Sequence, residues 1–564
     1  MMKQKRMRGK RYGIRTKVMA TALATAIIMS GCTGGNEGGP EGDKNSDKLG
    51  QTKTALGATN LKDKKVKGEL SLMIWAGDGK YYEDMGHQEL KPEDITAANV
   101  AQVYAVAHKF NETYPNVKIN LWSKQGDPDQ PGTPKWEQEM ENFKATYGKY
   151  PDIWGATDVP GDIKKGLVAD LSCYANDETY KAYNAKLMSN LNYYGFQAGL
   201  PSYTIPAGIW VNKSLASSKN IAIPEPDWDI DDYTEFVSNT DHSSYWGSKG
   251  TASGIVDIGV NSINKQLNET NTVDVNNDEV KSLLSYMNEW SQSTVDTDNG
   301  AGNVSMEIMK ECSDYAWFFF TKNRTLTESE DPWYITAAAD ESASKSDTYL
   351  NASDWDIYPY PATDYCENTI RIVMDPICIH NYASDDNNKE WSDAEKQKRD
   401  IAYAFATYWT ASTEAKKAIF DQKYMEGTQI KDTTTGDSFP VVSGDAFEEQ
   451  MEIWNQVEAH KTYETKEGWQ KVLEIWKNGK YWDYSDKCTL LSITKNGETQ
   501  RCLYEWENKW DENVAGCWMT DKNWVDNVKA KLADWNTRMN ERLNTASEQL
   551  KIALKENYNF TPKE

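Results

Sequence analysis

Long apolar runs are missing from this 564-residue chain. No stretch reaches the roughly 18 to 20 residues that span a bilayer, so the body is not embedded in one. Histidine is scarce, with five residues and no HExxH pair, and no Walker loop, dinucleotide fingerprint or GxSxG elbow occurs. Metalloprotease, nucleotide-dependent and hydrolase-elbow chemistries therefore lose their usual carriers. Cysteines number eight and none sits in CxxC spacing. Leaving out Cys32, the odd remainder cannot all pair within the chain, and neither a disulfide framework nor a zinc site is inferred. Dense basic runs with interleaved aromatics are also absent after residue 31, and the net charge is -24. Such an acidic body opposes phosphate backbones, which argues against a nucleic-acid partner.

Phenylalanine is the last scarcity, 12 residues against 22 Trp and 31 Tyr. Trp and Tyr join a flat apolar face to a polar edge and suit half-wet surfaces. Carbohydrate is a matching ligand, since its C–H faces are rimmed by hydroxyls. The competing reading places most of these rings in the core. The rest of the composition, 39% hydrophobic and 26% charged, is that of a globular protein, and the length predicts at least two domains.

Residues 1–31 read as a targeting segment, with a basic start from Lys3 to Lys17, an apolar stretch from Val18 to Met29, and then Ser30-Gly31-Cys32. The pattern resembles a bacterial lipoprotein signal, with Met29 where Leu is usual, and implies that Cys32 is lipidated. Residues 32–66 are rich in Gly, Asn, Asp, Lys and Thr and read as a flexible tether.

From Glu69, Leu70, Leu72 and Ile74 alternate as a strand that breaks at Gly77-Asp78-Gly79. Val100, Val103, Tyr104, Ala107 and Phe110 keep helical spacing, and Val117, Ile119 and Leu121 alternate again. Pro151-Asp152-Ile153-Trp154 gives a third strand. This alternation predicts an α/β lobe with parallel strands. Between Gly199 and Leu215, Pro201 and Pro206 disfavour helix while Ile209-Trp210-Val211 suits a strand, so the stretch reads as an extended crossing segment. A second lobe follows, with a helix starting near Asp229, another over Val280 to Trp290, an aromatic strand over Tyr315 to Phe320, and a strand in Asp354 to Pro361. Arg371 to His380 is the return crossing. Helices follow over Ile401 to Trp409 and from Thr413, with Ser412 as the cap of the latter. Asn496-Gly497 marks a hairpin, and Val525, Val528, Leu532, Trp535, Met539 and Leu543 mark a long terminal helix.

In this order the segments resemble the bacterial extracellular solute-binding proteins of family 1, the maltose-binding type. Glu69 to Asp78 is similar to the family's opening strand, Phe110 to Ile119 to its "F...yP.ikv" helix and strand, and Pro151 to Asp158 to its "PDi....d" turn. Gly166 to Leu171 resembles "G.l.dL" and Gly199 to Leu215 the "aLP...lwvNK.l" crossover. The resemblance covers about residues 69 to 440. It implies a two-lobed α/β periplasmic-binding-protein type II fold with a hinge between the lobes. Lobe 1 is expected over 67–207 with about 376–425 returning to it, and lobe 2 over 208–375 with about 426–564 contributing.

By the same resemblance the function is capture of an oligosaccharide by hinge closure and delivery to ABC permease subunits. The protein is expected to be a monomer on the outer face of the cell membrane, attached by its N-terminal lipid. It is expected to be neither an enzyme nor cofactor-dependent. Carried over, the expected ligand residues are Asp78, Lys80 and Tyr81 in the first turn, Trp154 and Asp158 in the next, and Tyr203 and Trp210 in the crossover. Trp246, Trp317 and Trp333 are expected as stacking platforms from the second lobe. Turn-capping competes for Asp78 and Asp158, and a place in the core for Trp210. Asp296 to Gly300 with Glu307 resembles a calcium loop, but Ala301 stands where Gly is needed. The functional alternatives are a surface enzyme acting on polysaccharide and an adhesion lipoprotein without a transporter; 86 acidic residues leave room for a glycosidase carboxylate pair.

Overall fold

The computed structural model describes residues 61–563 apart from 78–80, 86–92, 96–97, 126–135, 250–271, 296–302, 313–315, 331–353, 386–390, 429–437, 484–486, 506–522 and a few single positions. Its strands are β1 (Gly68–Gly77), β2 (Tyr81–Met85), β3 (Val117–Gln125), β4 (Ile153–Gly155), β5 (Asn192–Tyr193), β6 (Phe196–Gln197) and β7 (Leu200–Asn212). They continue as β8 (Trp246–Lys249), β9 (Thr325–Glu330), β10 (Trp355–Tyr358), β11 (Ile370–Ile379), β12 (Tyr481–Asp483), β13 (Ser492–Lys495) and β14 (Glu498–Arg501).

Three strands, β3-β1-β4, run parallel, with Leu70 level with Ile119 and Leu72 with Ile153. Leu70, Leu72 and Met73 are all buried, as expected of a parallel sheet covered on both faces. The helix Ala98–Thr113 makes the crossover from β1 and β2 to β3, burying Val100, Val103, Tyr104, Ala107 and Phe110. β11 lies antiparallel beside β4, and β7 antiparallel beside β11.

β7 is the long element at the middle of the sheet. Its first part, Leu200 to Ala207, pairs with β11, while Gly208 to Asn212 pairs with β9 on one side and β10 on the other. The sheet therefore has two halves joined through β7: β2-β3-β1-β4-β11 before it and β9-β8 with β10 after it. Pro201 lies opposite Pro376 at a register shift between Asp375 and Pro376. A bulge there relieves two facing residues that lack an N–H.

The expected helix starts are present. Asp229 accepts from the backbone N–H of Asp231 and Asp232 in a capping box ahead of Ile230–Ser238, and Ser412 accepts from Ala415 N–H ahead of Thr413–Phe420. One element differs. Ala316–Thr321 is a helix rather than a strand. A short apolar run has no period that separates helix from strand. Here Phe319 packs on Trp246 while Phe320 packs on Trp210, so neighbouring rings serve two different clusters.

Beyond residue 438 the chain touches both halves. Phe439 N–H donates to Thr204 O, Asn184 N–H to Val441 O, and Gln450 Nε2 to Ala411 O. The helix Glu467–Lys477 instead starts on Asp356 of β10, whose carboxylate accepts from Gly468 and Trp469 N–H. β12 then adds in parallel to β11. Among the described residues no helix is long and apolar enough to cross a membrane, and the six described cysteines are free thiols.

Candidate functional site

Strand order reverses at β1, which has β3 on one side and β4 on the other. Such a reversal opens a crevice beyond the carboxyl ends of the diverging strands. Those ends carry Trp75 in β1, half exposed at 51%, and Gly155 in β4. Ala156 follows, donating its N–H to Pro376 O at 2.9 Å. Asp158 then begins the helix Val159–Lys164, accepting from Gly161 N–H at 2.9 Å.

The crossing strands reach the same edge. Ile377 of β11 is level with Gly155, and Asp375, two residues earlier, faces Tyr203 of β7. Ser202 Oγ donates to Asp375 O at 2.8 Å, which fixes the strand at its bulge. Lys487 completes the group from the C-terminal part of the chain. Its carbonyl accepts from Val159 N–H at 2.9 Å, and its ammonium pairs with the Asp375 carboxylate. Burial pulls the Lys487 amine down, but Asp375 beside it outweighs that and holds it above its ordinary value. The Asp375 side chain is 45% exposed and that of Lys487 18%, so the carboxylate remains open to a ligand. From the second half, β9 ends at Glu330 opposite Gly208, immediately past the crossing.

Chemically, a carboxylate that accepts, an ammonium that donates and a half-buried Tyr203 form a hydroxyl-recognising set with an apolar face. Among the described residues no group of three or more His, Cys, Asp or Glu is set to hold a metal ion. Glu307 lies in the helix Met306–Cys312, and the other residues of the calcium-like loop lie outside the described residues.

The expected ligand residues divide. Tyr203 stands at the edge. Asp158 stands there too, but its side chain caps a helix. Tyr81 is in β2 opposite Trp122, and its backbone alone is described. Asp78, Lys80 and Trp333 lie outside the described residues, as do Cys32 and the side chain of Trp317.

Three tryptophans belong to the core instead. Trp154 is 1% exposed, and its Nε1 donates to buried Asp162 at 3.0 Å. Trp210 stacks on Trp355 with centroids 4.8 Å apart. Trp246 is fully buried in a small cluster with Val295, Ile308, Cys312 and Phe319. All three rings are at most 1% exposed on their strands. Sequence reasoning missed Asp375 and Lys487. A carboxylate before proline in an otherwise apolar crossing strand was a usable signal for Asp375; Lys487 lies beyond the family resemblance and had none.

No family model matches the chain, and no curated protein matches it. Solved structures do. The ABC transporter solute-binding protein from Thermotoga lettingae, bound with alpha-D-tagatose, is 13% identical, with 84% of this chain and 100% of that one covered and a TM-score of 0.50. The cyclic alpha-maltosyl-1,6-maltose binding protein from Arthrobacter globiformis is 13% identical, covering 88% and 100%, with a TM-score of 0.49. An ABC substrate-binding protein from Listeria monocytogenes in complex with cycloalternan is also 13% identical, covering 88% and 99%, with a TM-score of 0.47. The likeness to the Thermotoga protein identifies the fold as the two-lobed α/β fold of that solute-binding protein.

Proposed function

We propose that this chain is a lipid-anchored solute-binding protein that captures an oligosaccharide between its lobes and passes it to an ABC permease. The observation that carries this reading is the group at the carboxyl edge of β1 and β4. There Asp375, Tyr203 and Lys487 stand on or against the two crossing strands. A ligand seated at that edge contacts the first half directly and meets the second half across the crossing, so closure adds contacts that the open state lacks. The solved structures of like fold are described as binding proteins for sugars, which supports a sugar ligand here. The basic and apolar start ending in Cys32 supports attachment through a lipid, with the tether giving the body reach above the membrane.

The test is calorimetric titration of the chain from Asn36 onward against a panel of neutral oligosaccharides, with chromatography of the mixtures afterwards. Saturable binding of intact sugar is the expected result. Sugar breakdown would turn the reading to a surface enzyme, and silence across the panel would remove carbohydrate as the ligand.

A further inference from the structure

The terminal helix Leu532–Tyr558 buries one stripe, Leu532, Trp535, Met539, Leu543, Ala546, Leu550 and Leu554, along its length. Its two ends are fastened to different halves of the molecule. Near its start, Asn536 Oδ1 accepts from Val275 N–H at 3.0 Å. Asn540 accepts from Val273 N–H at 2.8 Å and donates to Val273 O at 2.8 Å. Just upstream, Lys529 Nζ donates to Ser285 Oγ at 2.8 Å.

Those partners belong to the second half. The segment leads into the helix Asp278–Trp290, where Trp290 Nε1 donates to Thr234 Oγ1 at 2.9 Å. Beyond that helix, Ser293 O accepts from Gly247 N–H of β8 and Val295 N–H donates to Ser248 O.

The far end grips the first half. Asn557 Nδ2 donates to Lys164 O at 2.9 Å, and Tyr558 OH donates to Ile163 O at 3.1 Å while accepting from Val168 N–H at 3.3 Å. The rings of Tyr558 and Phe560 stand edge-on to Phe196 at 4.8 and 5.4 Å. Midway, Gln549 exchanges two hydrogen bonds with Thr494 of β13.

We propose that this helix is a strut that sets the angle between the two halves and narrows the range over which the cleft opens. Strand crossings alone form a hinge, which turns on a few residues at low cost. A continuous helix does not stretch, and its anchors at Asn536 and Tyr558 lie about 33 Å apart along its axis. Wide opening must therefore break one anchor or the other. Both anchors use backbone groups on the halves and directional side chains on the helix, so they resist sliding as well as separation. The strut acts whatever the ligand is.

The experiment places spin labels, carried on a non-natural amino acid so that native cysteines are spared, at exposed Ser217 in the second half and exposed Ala394 in the first. Their distance distribution is measured without ligand in the full chain and in Asn536→Ala/Asn540→Ala, substitutions that keep or raise helix propensity. The expected result is one narrow peak in the unaltered chain and a distribution roughly twofold broader in the variant, displaced to longer distance. A broad or multiple distribution in the unaltered chain overturns the proposal. So does an unchanged distribution in a variant that retains its helical circular dichroism. Should the double variant fail to fold, Tyr558→Phe, which keeps the ring and loses the bonds to Ile163 and Val168, is read by the same two criteria.

Discussion

Replacing Lys466 with methionine should change how stability depends on pH. Lys466 is buried behind the crossing strands, with its Nζ 3.8 Å from the centroid of the Trp355 ring and donating to Trp355 O. Burial lowers its amine to about 8, with Asp356 pulling the other way and Lys213 reinforcing burial. In the unfolded chain the same amine titrates near 10.4. Between those values the unfolded state binds more protons than the folded one, so stability rises with pH across that window and is level below it. For this one group the gain between pH 7 and pH 9 is about 1 kcal/mol. Lys186, lowered to about 8 by burial, adds a similar gain in both proteins and cancels in the comparison. Methionine keeps the stem volume and removes the titration. Urea denaturation followed by circular dichroism at pH 7 and pH 9 gives four free energies. The double difference should show the unaltered chain gaining about 1 kcal/mol more than Lys466→Met. Equal pH dependence in the two proteins, or a relative loss in the unaltered chain, would refute the reasoning.

Three other outcomes are expected. Trp154→Ala removes a fully packed indole and its bond to Asp162, and should cost about 3 to 5 kcal/mol in urea denaturation; a loss below about 1 kcal/mol would show the ring is not core. His460, stacked on Trp454 at 3.6 Å and donating Nδ1–H to its carbonyl, is pushed down by burial to about 4. The unfolded chain therefore takes up the proton first as pH falls below about 6.5, and lowering the pH to 5 should cost about 2 kcal/mol that His460→Phe does not lose. Lys487→Met and Asp375→Asn should each weaken oligosaccharide binding about tenfold, measured by calorimetry; thermal stability should be nearly unchanged in Lys487→Met, which leaves a carboxylate that is 45% exposed, and lowered in Asp375→Asn, which leaves the mostly buried Lys487 ammonium without its partner. Unaltered affinity in both would take the pair out of the site.

Much of the fold was readable where local chemistry and tertiary setting agree. The alternation at Leu70, Leu72 and Ile74 became β1, and the prolines at 201 and 206 marked β7 as extended. Asp229 and Ser412 were visible as caps because an N-cap is specified within four residues. Trp154 and Trp210 could not be told from rings at the cleft for a different reason. Their strands are covered on both faces, so no alternation separates an inward ring from a ring at the cleft. The partnership of Asp375 with Lys487 spans 112 positions, and no local pattern encodes a contact at that separation.

The excess of Trp and Tyr over Phe has a structural use that its composition alone did not suggest. Trp210, Trp228, Trp290, Trp355, Trp469, Trp476 and Trp524 are all buried. Of these, Trp228 spends its polar edge on a carbonyl of a distant segment, Nε1 on Pro359 O at 2.8 Å, and two tyrosines do the same, Tyr358 OH on Pro224 O at 2.9 Å and Tyr193 OH on Cys488 O at 2.6 Å. A chain that passes repeatedly between two halves brings segments together outside any strand ladder. Carbonyls at those meetings need donors, and leaving them unpaired in the interior costs about 1 to 3 kcal/mol each. Phenylalanine fills such space without supplying a donor; Trp and Tyr do both. Trp228, Tyr358 and Tyr193 thus use both the face and the polar edge of their rings inside the body. It follows that the sugar reading draws its weight from the open carboxylate of Asp375, the ammonium of Lys487 and the half-buried Tyr203 at one edge, and not from the count of aromatic residues.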